Sequence, residues 1–200
     1  MDISSDTLEV IARRYSCRAF LDRPVDSGLL QTVLTAGLHA PSAMNRQPWR
    51  FIVVRDKAML AEIDAVGMMQ LAAADPAGFE RMKTRGGQLT YGAPLVIVIA
   101  GQQLDSIYSP FLDCGIAASH MALAATAVGL DSCIAAMPGI AFTGELGARL
   151  RQQVGLPEGF MFTLSLLLGY AAGEPKPGHA TDFTKIVEPG YADAARSERL

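Results

Sequence analysis

Apolar positions follow helical spacing in some segments of the chain and strand-like spacing in others. Leu30, Val33 and Leu34 belong to a stripe with helical spacing, and Asp26 ahead of that stripe is a typical N-cap. Residues 49–54 are rich in aromatic and β-branched side chains, and residues 95–100 form a continuous apolar run, so both segments are predicted strands. The full pattern predicts helices near residues 6–14, 26–40, from 57 onwards, 109–129 and 143–155, and strands near 49–54, 95–100, 131–136 and 160–169.

These elements predict a mixed α and β class, because four strands are separated by helices without internal repeats. A chain of 200 residues is an ordinary length for one domain, so we expect a single domain over residues 1–200. Residues 74–91 combine Pro and Gly with charged side chains and have weak periodicity, which indicates a loop or lid with at most a short helix. The tail, residues 173–200, has too little periodicity to form its own core, and we expect it to extend onto a partner subunit.

Composition narrows the range of partners and compartments. Half of the residues are hydrophobic and 18% are charged, which leaves apolar surface for a subunit interface. The formal charge of −3 argues against nucleic acid as a partner. Residues 111–130 are apolar, but Asp113 and His120 interrupt them, so we interpret them as a buried helix and expect no membrane partner. Three cysteines without a C-x-x-C spacing and a polar N-terminus predict a cytoplasmic protein.

Several common functional motifs do not occur in the sequence. There is no G-x-G-x-x-G after a predicted strand and no G-x-x-x-x-G-K-[ST], so neither a Rossmann dinucleotide site nor a P-loop is indicated. There is also no G-x-S-x-G and no H-E-x-x-H, and the three histidines are far apart. The sequence therefore gives little support to a hydrolase or a metal site, and it identifies no catalytic side chain.

A cluster of arginines follows the first predicted helix, in the run R-R-Y-S-C-R-A-F from residue 13 to residue 20. Arg13, Arg14 and Arg18 offer planar forks of donors that match phosphate oxygens, and Ser16 adds a further hydrogen bond. The same arginines would also be explained by solvent exposure or by the negative end of the preceding helix dipole. On these residues alone, both interpretations stay open.

Amide side chains are concentrated in the predicted loop of residues 40–49, A-P-S-A-M-N-R-Q-P-W. Asn45 and Gln47 each carry a donor and an acceptor, so a rigid loop that holds them can satisfy the alternating N–H and C=O groups at the edge of a heterocycle. A simple connecting turn would explain the two prolines but not the density of amides.

Together the two clusters resemble the nitroreductase family, whose pattern is R-R-S-x-R-x-F followed some twenty residues later by A-P-S-x-x-N-x-Q-P-W. The second motif matches at every defined position. The resemblance continues through residues 92–98, Asp113-Cys114-Gly115, Gly129-Leu130 and residues 150–170, and thus covers nearly the whole chain.

The resemblance implies an α+β, nitroreductase-like fold in which helices flank a mainly antiparallel central sheet, and an intertwined homodimer. It also implies FMN as cofactor and NADH or NADPH as transient electron donor. The implied activity is ping-pong transfer of two electrons from NAD(P)H to an electron-poor small molecule such as a nitroaromatic or a quinone. Related alternatives are an FMN-dependent dehalogenase, a flavin-processing enzyme and a non-catalytic FMN-binding protein.

The family pattern also implies roles for individual residues. Arg14 and Ser16 would hold the FMN phosphate, Tyr15 would contribute backbone contacts, and Arg18 would lie near the ribityl chain and the pyrimidine edge. The loop that reaches the flavin, partly from the partner subunit, would consist of Pro41, Ser42, Ala43, Asn45 and Gln47. Met137, Pro138 and Gly139 would pass their backbone along the isoalloxazine ring, and Lys176 in the tail would meet the phosphate.

Two positions depart from the pattern. Tyr15 replaces the second member of the usual R-R-S triplet, so it stays open whether Arg13 or Arg14 binds phosphate. Where many relatives place a second basic residue in the tail, this chain has Gly178 followed by His179, so His179 is a candidate replacement.

Overall fold

Four antiparallel strands form the centre of the computed structural model, which describes residues 7–103, 109–175 and 180–187. The strands are β1 (Trp49–Val54), β2 (Leu95–Gln102), β3 (Asp131–Ala135) and β4 (Phe160–Gly169). Their order across the sheet is β1-β2-β4-β3, and every neighbouring pair is antiparallel. The predicted antiparallel sheet is therefore confirmed.

The predicted helices are confirmed within the described residues. They are α1 (Thr7–Arg13), α2 (Ser27–Leu38), α3 (Lys57–Ala74), α5 (Pro110–Ala127) and α6 (Gly144–Gln153), and a further helix, α4 (Pro76–Lys83), lies in the segment predicted mainly as a loop. Short 3₁₀ turns occupy Ala43–Asn45, Met137–Phe142 and Phe183–Lys185. The predicted N-cap of the first helix, Asp6, lies outside the described residues.

Helix α4 gives the predicted lid a definite structure. Asp75 accepts a hydrogen bond from the Gly78 N–H at 2.9 Å, and Pro76 occupies the first helical turn. Proline is favourable there, because its fixed φ suits the helix and its missing N–H would have had no intrahelical partner. The Asp-Pro pair therefore starts a two-turn helix.

The helices cover both faces of the sheet and create two apolar cores. On one face, α2 and α5 pack against side chains such as Leu95, Ile97 and Leu166. On the other face, α3, α6 and the Met137–Phe142 turn pack against residues such as Val96 and Leu167. This double coverage explains why β2 is a continuous apolar run. None of the helices within the described ranges is long and apolar enough to cross a membrane.

Candidate active site

The arginine segment, residues 14–20, runs along the outer edge of β3. Ser16 pairs with Ser132 in a parallel bridge, and the Cys17 N–H donates to the Ser132 carbonyl at 2.9 Å. Phe20 forms an antiparallel bridge with Ala171, just beyond the end of β4. The end of α1 at Arg13 and these bridges hold the segment in extended conformation beside the sheet.

Two guanidinium groups and a hydroxyl converge on β3 at Cys133. Burial raises the pKa of the Cys133 thiol, while the positive charge of Arg18, a hydrogen bond with Ser16 and the charge of Arg14 act in the opposite direction. Arg13 differs, because its side chain forms an exposed ion pair with Glu9 at 3.4 Å on α1. The charges of Arg14 and Arg18 therefore act on the same position of β3, whereas the Arg13 side chain is paired on α1.

A cavity of about 280 Å³ adjoins this segment. Its lining includes Arg13, Tyr15, Asp131, Ser132 and Pro175. Burial raises the pKa of the Tyr15 phenol, and contacts with Cys17 and Asp131 act in the same direction. Ser132 is only 3% exposed, and its Oγ has no hydrogen-bond partner among the described residues. An unpaired buried hydroxyl is costly, so Ser132 is a candidate contact for a bound molecule or water.

The amide loop, residues 41–47, has a strained backbone that is fixed by its own side chains. Met44, Asn45 and Gln47 have positive φ values of 53°, 54° and 50°. Ser42 Oγ accepts a hydrogen bond from the Gln47 N–H at 2.9 Å, and Asn45 Oδ1 accepts one from Gln47 Nε2 at 2.9 Å. Non-glycine residues in this region persist only where the surroundings over-determine them, and they cluster at functional sites. Asn45 and Gln47 are both exposed and available for contacts outside the loop.

The amide loop is also bonded to the core. The Ala43 N–H donates to Asp113 Oδ1 at 3.1 Å, and Asp113 is a 4% exposed residue in the first turn of α5. At the other end of the loop, the Pro48 carbonyl accepts a hydrogen bond from the Gln102 N–H at 2.7 Å.

The Met137–Phe142 turn directly follows β3 and packs against β4. A Cβ at Gly139 would lie 2.6 Å from Cε1 of Phe162, so the absence of a side chain lets the turn rest on that ring. Met137 is 40% exposed, whereas Pro138 is buried. The turn therefore presents backbone and one apolar side chain to its surroundings.

The amide loop and the arginine segment lie at opposite corners of the sheet. Ser132 on β3 pairs with Leu168 on β4. Pro48, at the end of the loop, is hydrogen-bonded to Gln102 on β2, and Gln102 pairs with Phe160 on β4. Those eight residues span about 26 Å of strand, and three strand spacings from β1 to β3 add about 14 Å across, which gives a diagonal of roughly 30 Å. The two corners of the sheet are therefore far apart within one chain.

Comparisons with known proteins agree with this architecture. The model of the Nitroreductase family matches residues 11–170. The chain belongs to the nitroreductase family. A crystal structure of a nitroreductase with bound FMN from Desulfitobacterium hafniense DCB-2 is 41% identical, with a TM-score of 0.85 over 91% of this chain and 97% of that one.

Two curated relatives have names that refer to nicotinamide nucleotides. A protein of Archaeoglobus fulgidus, provisionally named NADH dehydrogenase/NAD(P)H nitroreductase, is 30% identical over 84% of this chain and 87% of its own length. An NADH dehydrogenase of Thermus thermophilus is 28% identical over 91% of this chain and 95% of its own. Family membership makes this nitroreductase an oxidoreductase.

In this nitroreductase the predicted site residues form two groups. Those of the arginine segment lie along β3 and those of the amide loop lie at the opposite corner of the sheet, while residues 137–139 follow β3 and pack on Phe162 of β4. Lys176 and His179 lie outside the described residues. The sequence did not single out Ser132, and the only available signal was a hydroxyl on a strand whose neighbours are largely apolar. Asp113 stood out in the sequence as an interruption of an apolar run and as part of the resemblance but not as a contact of the loop, because the hydrogen bond with Ala43 joins positions 70 apart.

Proposed function

We propose that this nitroreductase binds FMN and passes two electrons from NAD(P)H to an electron-poor acceptor, such as a nitroaromatic or a quinone, by a ping-pong mechanism. The observation that carries the proposal is the convergence of Arg14, Ser16 and Arg18 on β3, beside the turn at residues 137–139. The similar protein from Desulfitobacterium hafniense has FMN bound, and the Archaeoglobus fulgidus relative is named for NAD(P)H.

The side chains on β3 suit the parts of FMN. Arg14 and Ser16 would hold the phosphate, with backbone contacts from Tyr15, because guanidinium and hydroxyl donors match phosphate oxygens. Arg18 would lie toward the ribityl chain and the pyrimidine edge. Residues 137–139 would pass their backbone along the ring, and Met137 at the start of this stretch is exposed. Lys176 would approach the phosphate from the tail.

FMN would supply the redox chemistry, taking a hydride from NAD(P)H and returning the electrons to the acceptor. Arg18 would place positive charge beside the pyrimidine edge, where it favours the additional electrons. Asn45 and Gln47 would pair with the polar rim of the ring through their amides. Because the nucleotide leaves before the acceptor enters, one pocket serves both, and a separate dinucleotide-binding motif is unnecessary.

We further propose that the flavin site is built from two copies of the chain. The arginine segment at Ser132 and the amide loop are roughly 30 Å apart along the sheet of one chain, which is longer than FMN, so the amide loop would meet the flavin held at β3 of a partner. Each chain would be one domain over residues 1–200, with residues 173–200 packing on the partner. Exposed apolar side chains on α1 and α5, including Leu8 at 75% and Leu112 at 67%, offer a surface for such a contact.

An absorbance spectrum of the purified protein, followed by anaerobic addition of NADH and then NADPH, tests this function. We expect flavin bands that bleach with at least one nucleotide and return when a nitroaromatic or a quinone is added. A protein that remains colourless after incubation with FMN would contradict the proposal. A flavin that either nucleotide bleaches but no acceptor reoxidises would point to a different acceptor class, and a flavin that never bleaches would indicate a non-catalytic carrier.

A further inference from the structure

A buried carboxylate links the amide loop to the long core helix. Asp113 is 4% exposed, lies in the first turn of α5, and accepts the Ala43 N–H at 3.1 Å. A negative charge in the first turn of a helix is favourable, because the helix dipole is positive at that end. The carboxylate is therefore stable in its own helix and remains available as an acceptor for the loop.

The loop needs such an external contact because its conformation is strained. Three non-glycine residues with positive φ cost roughly 1 kcal/mol each, so the free loop would relax toward ordinary backbone angles. The hydrogen bonds of Ser42 and Asn45 with Gln47 fix the shape of the loop, but all of these groups belong to the loop itself. The Ala43 to Asp113 bond instead fixes where the loop lies relative to α5.

Helix α5 is a rigid support for this contact. The neighbouring residues Cys114 and Ala117 are completely buried against the sheet, and α2 packs along the same helix. The core thus fixes the position of Asp113, and the hydrogen bond from Ala43 to Asp113 in turn fixes the position of the loop.

We propose that Asp113 is a positioning residue for the flavin site: through Ala43, its carboxylate holds the amide loop in the geometry in which Asn45 and Gln47 meet the flavin. Asp113 itself contacts no cofactor. The inference rests on the proposed function. It states that a buried residue of α5 affects the affinity for flavin.

The first test compares FMN release from wild-type, Asp113→Ala and Asp113→Asn holoproteins, followed by flavin fluorescence after dilution. Asp113→Ala leaves the Ala43 N–H without its acceptor, and losing a hydrogen bond to a charged group corresponds to about a tenfold or greater rise in the FMN dissociation constant. Asp113→Asn keeps an oxygen that can accept the same N–H, so we expect it to remain within about threefold of wild type. Visible circular dichroism of the bound flavin should change in the alanine variant and recover in the asparagine variant.

Ala43→Pro removes the same hydrogen bond from the donor side. Ser42 has φ −140° and ψ 157°, the extended region that a residue before proline prefers, and Ala43 is the first residue of its 3₁₀ turn, so proline suits the position. We expect Ala43→Pro alone to weaken FMN binding to a similar extent. The double variant should be no weaker than either single variant, because both changes remove one interaction.

The outcomes separate the two proposals. If wild type and Asp113→Ala bind FMN with the same dissociation constant, the proposed role of Asp113 is wrong while the proposed function stands. Additive effects in the double variant, or equal weakening by Asp113→Asn, would also overturn it, because either result means that the Ala43 hydrogen bond is not responsible. If wild type binds no FMN, the proposed function itself fails. Urea unfolding of each variant distinguishes lost flavin affinity from a general loss of stability.

Discussion

Asp64 is a buried carboxylate that anchors the segment after α4 to α3. Its two oxygens accept hydrogen bonds from the Thr90 N–H at 2.9 Å and from the Thr90 hydroxyl at 2.7 Å. Burial nevertheless raises the pKa of Asp64, since desolvation outweighs these hydrogen bonds. The carboxyl group thus remains protonated in the folded protein at pH values where it is already ionised in the unfolded chain.

This shift predicts how stability depends on pH. A carboxyl with a raised folded-state pKa contributes stability that is fully present below its unfolded value and is lost as pH rises through the folded value. We therefore expect wild type to lose stability relative to Asp64→Asn as the pH rises from below 3.8, which is the ordinary pKa of an Asp side chain. The amide can still pair with Thr90, so the variant is a neutral analogue. Urea unfolding at several pH values measures the difference, and a pH-independent difference would contradict the prediction.

Arg13 and Arg14 provide a matched pair for testing the anion site. We expect Arg14→Ala to weaken FMN binding at least tenfold, because it removes charge-assisted hydrogen bonds to phosphate worth about 1.5–3 kcal/mol. Arg13→Ala removes an exposed ion pair with Glu9, which is worth at most about 0.5 kcal/mol, and should change FMN affinity less than threefold. Fluorescence titration measures both constants. A larger effect of Arg13→Ala would show that Arg13, rather than Arg14, occupies the position of the family's phosphate-binding arginine.

At the scale of elements, α6 approaches the Met137–Phe142 turn closely through Gly147. A Cβ at Gly147 would lie 2.3 Å from the carbonyl carbon of Phe142, and backbone cannot move aside as a flexible side chain can. We expect Gly147→Ala to destabilise the protein by about 1–2 kcal/mol, since overpacking against backbone lies in the upper part of the usual cost of about 1–3 kcal/mol and the gain in helix propensity offsets about 1 kcal/mol of it. Arg149→Ala, at an exposed position on the same helix, should stay within about 0.5 kcal/mol. Thermal and urea unfolding compare the two, and equal stabilities would disprove the close contact.

Element boundaries were predictable where local patterns decide them. The predicted limits of β1 and β4 agree with the structure because each strand is bounded by turn residues. Strand β2 instead continues two residues beyond the apolar run, to Gln102, because pairing with β4 extends that far. Residues 74–91 were predicted mainly as a loop, and α4 arises there because Asp75 caps a helix that begins with Pro76. In both cases a contact outside the local periodicity determines the outcome.

At the scale of the whole molecule, the sequence predicted two clusters of candidate site residues but not how far apart they lie. The amide loop and the arginine segment are separated by the strand order β1-β2-β4-β3, which long-range pairing sets. No local signal distinguishes that order from one in which the two clusters are adjacent. The expectation of a site shared between subunits came from the family resemblance, and the roughly 30 Å diagonal, estimated from strand dimensions, supplies a physical reason for it.

That separation leads to a test of the proposed homodimer. Leu112 is 67% exposed on α5, and Phe111 beside it is 48% exposed, so this apolar surface would be buried by a partner. We expect Leu112→Glu to raise the dimer dissociation constant at least tenfold, because a buried unpaired charge costs several kcal/mol. Leu146→Glu is the control: Leu146 is 41% exposed on α6, which packs on the opposite face of the sheet. Sedimentation velocity measures the association of both variants.

FMN retention in the same two variants decides whether the site needs both subunits. If the amide loop of one chain completes the flavin site of the other, monomeric Leu112→Glu protein must release FMN, while Leu146→Glu protein must retain both the dimer and the flavin. A monomer that retains FMN with wild-type affinity would show that the arginine segment and residues 137–139 bind the cofactor without a partner. The amide loop would then have another role, because within one chain it is too far from β3 to contact the same flavin.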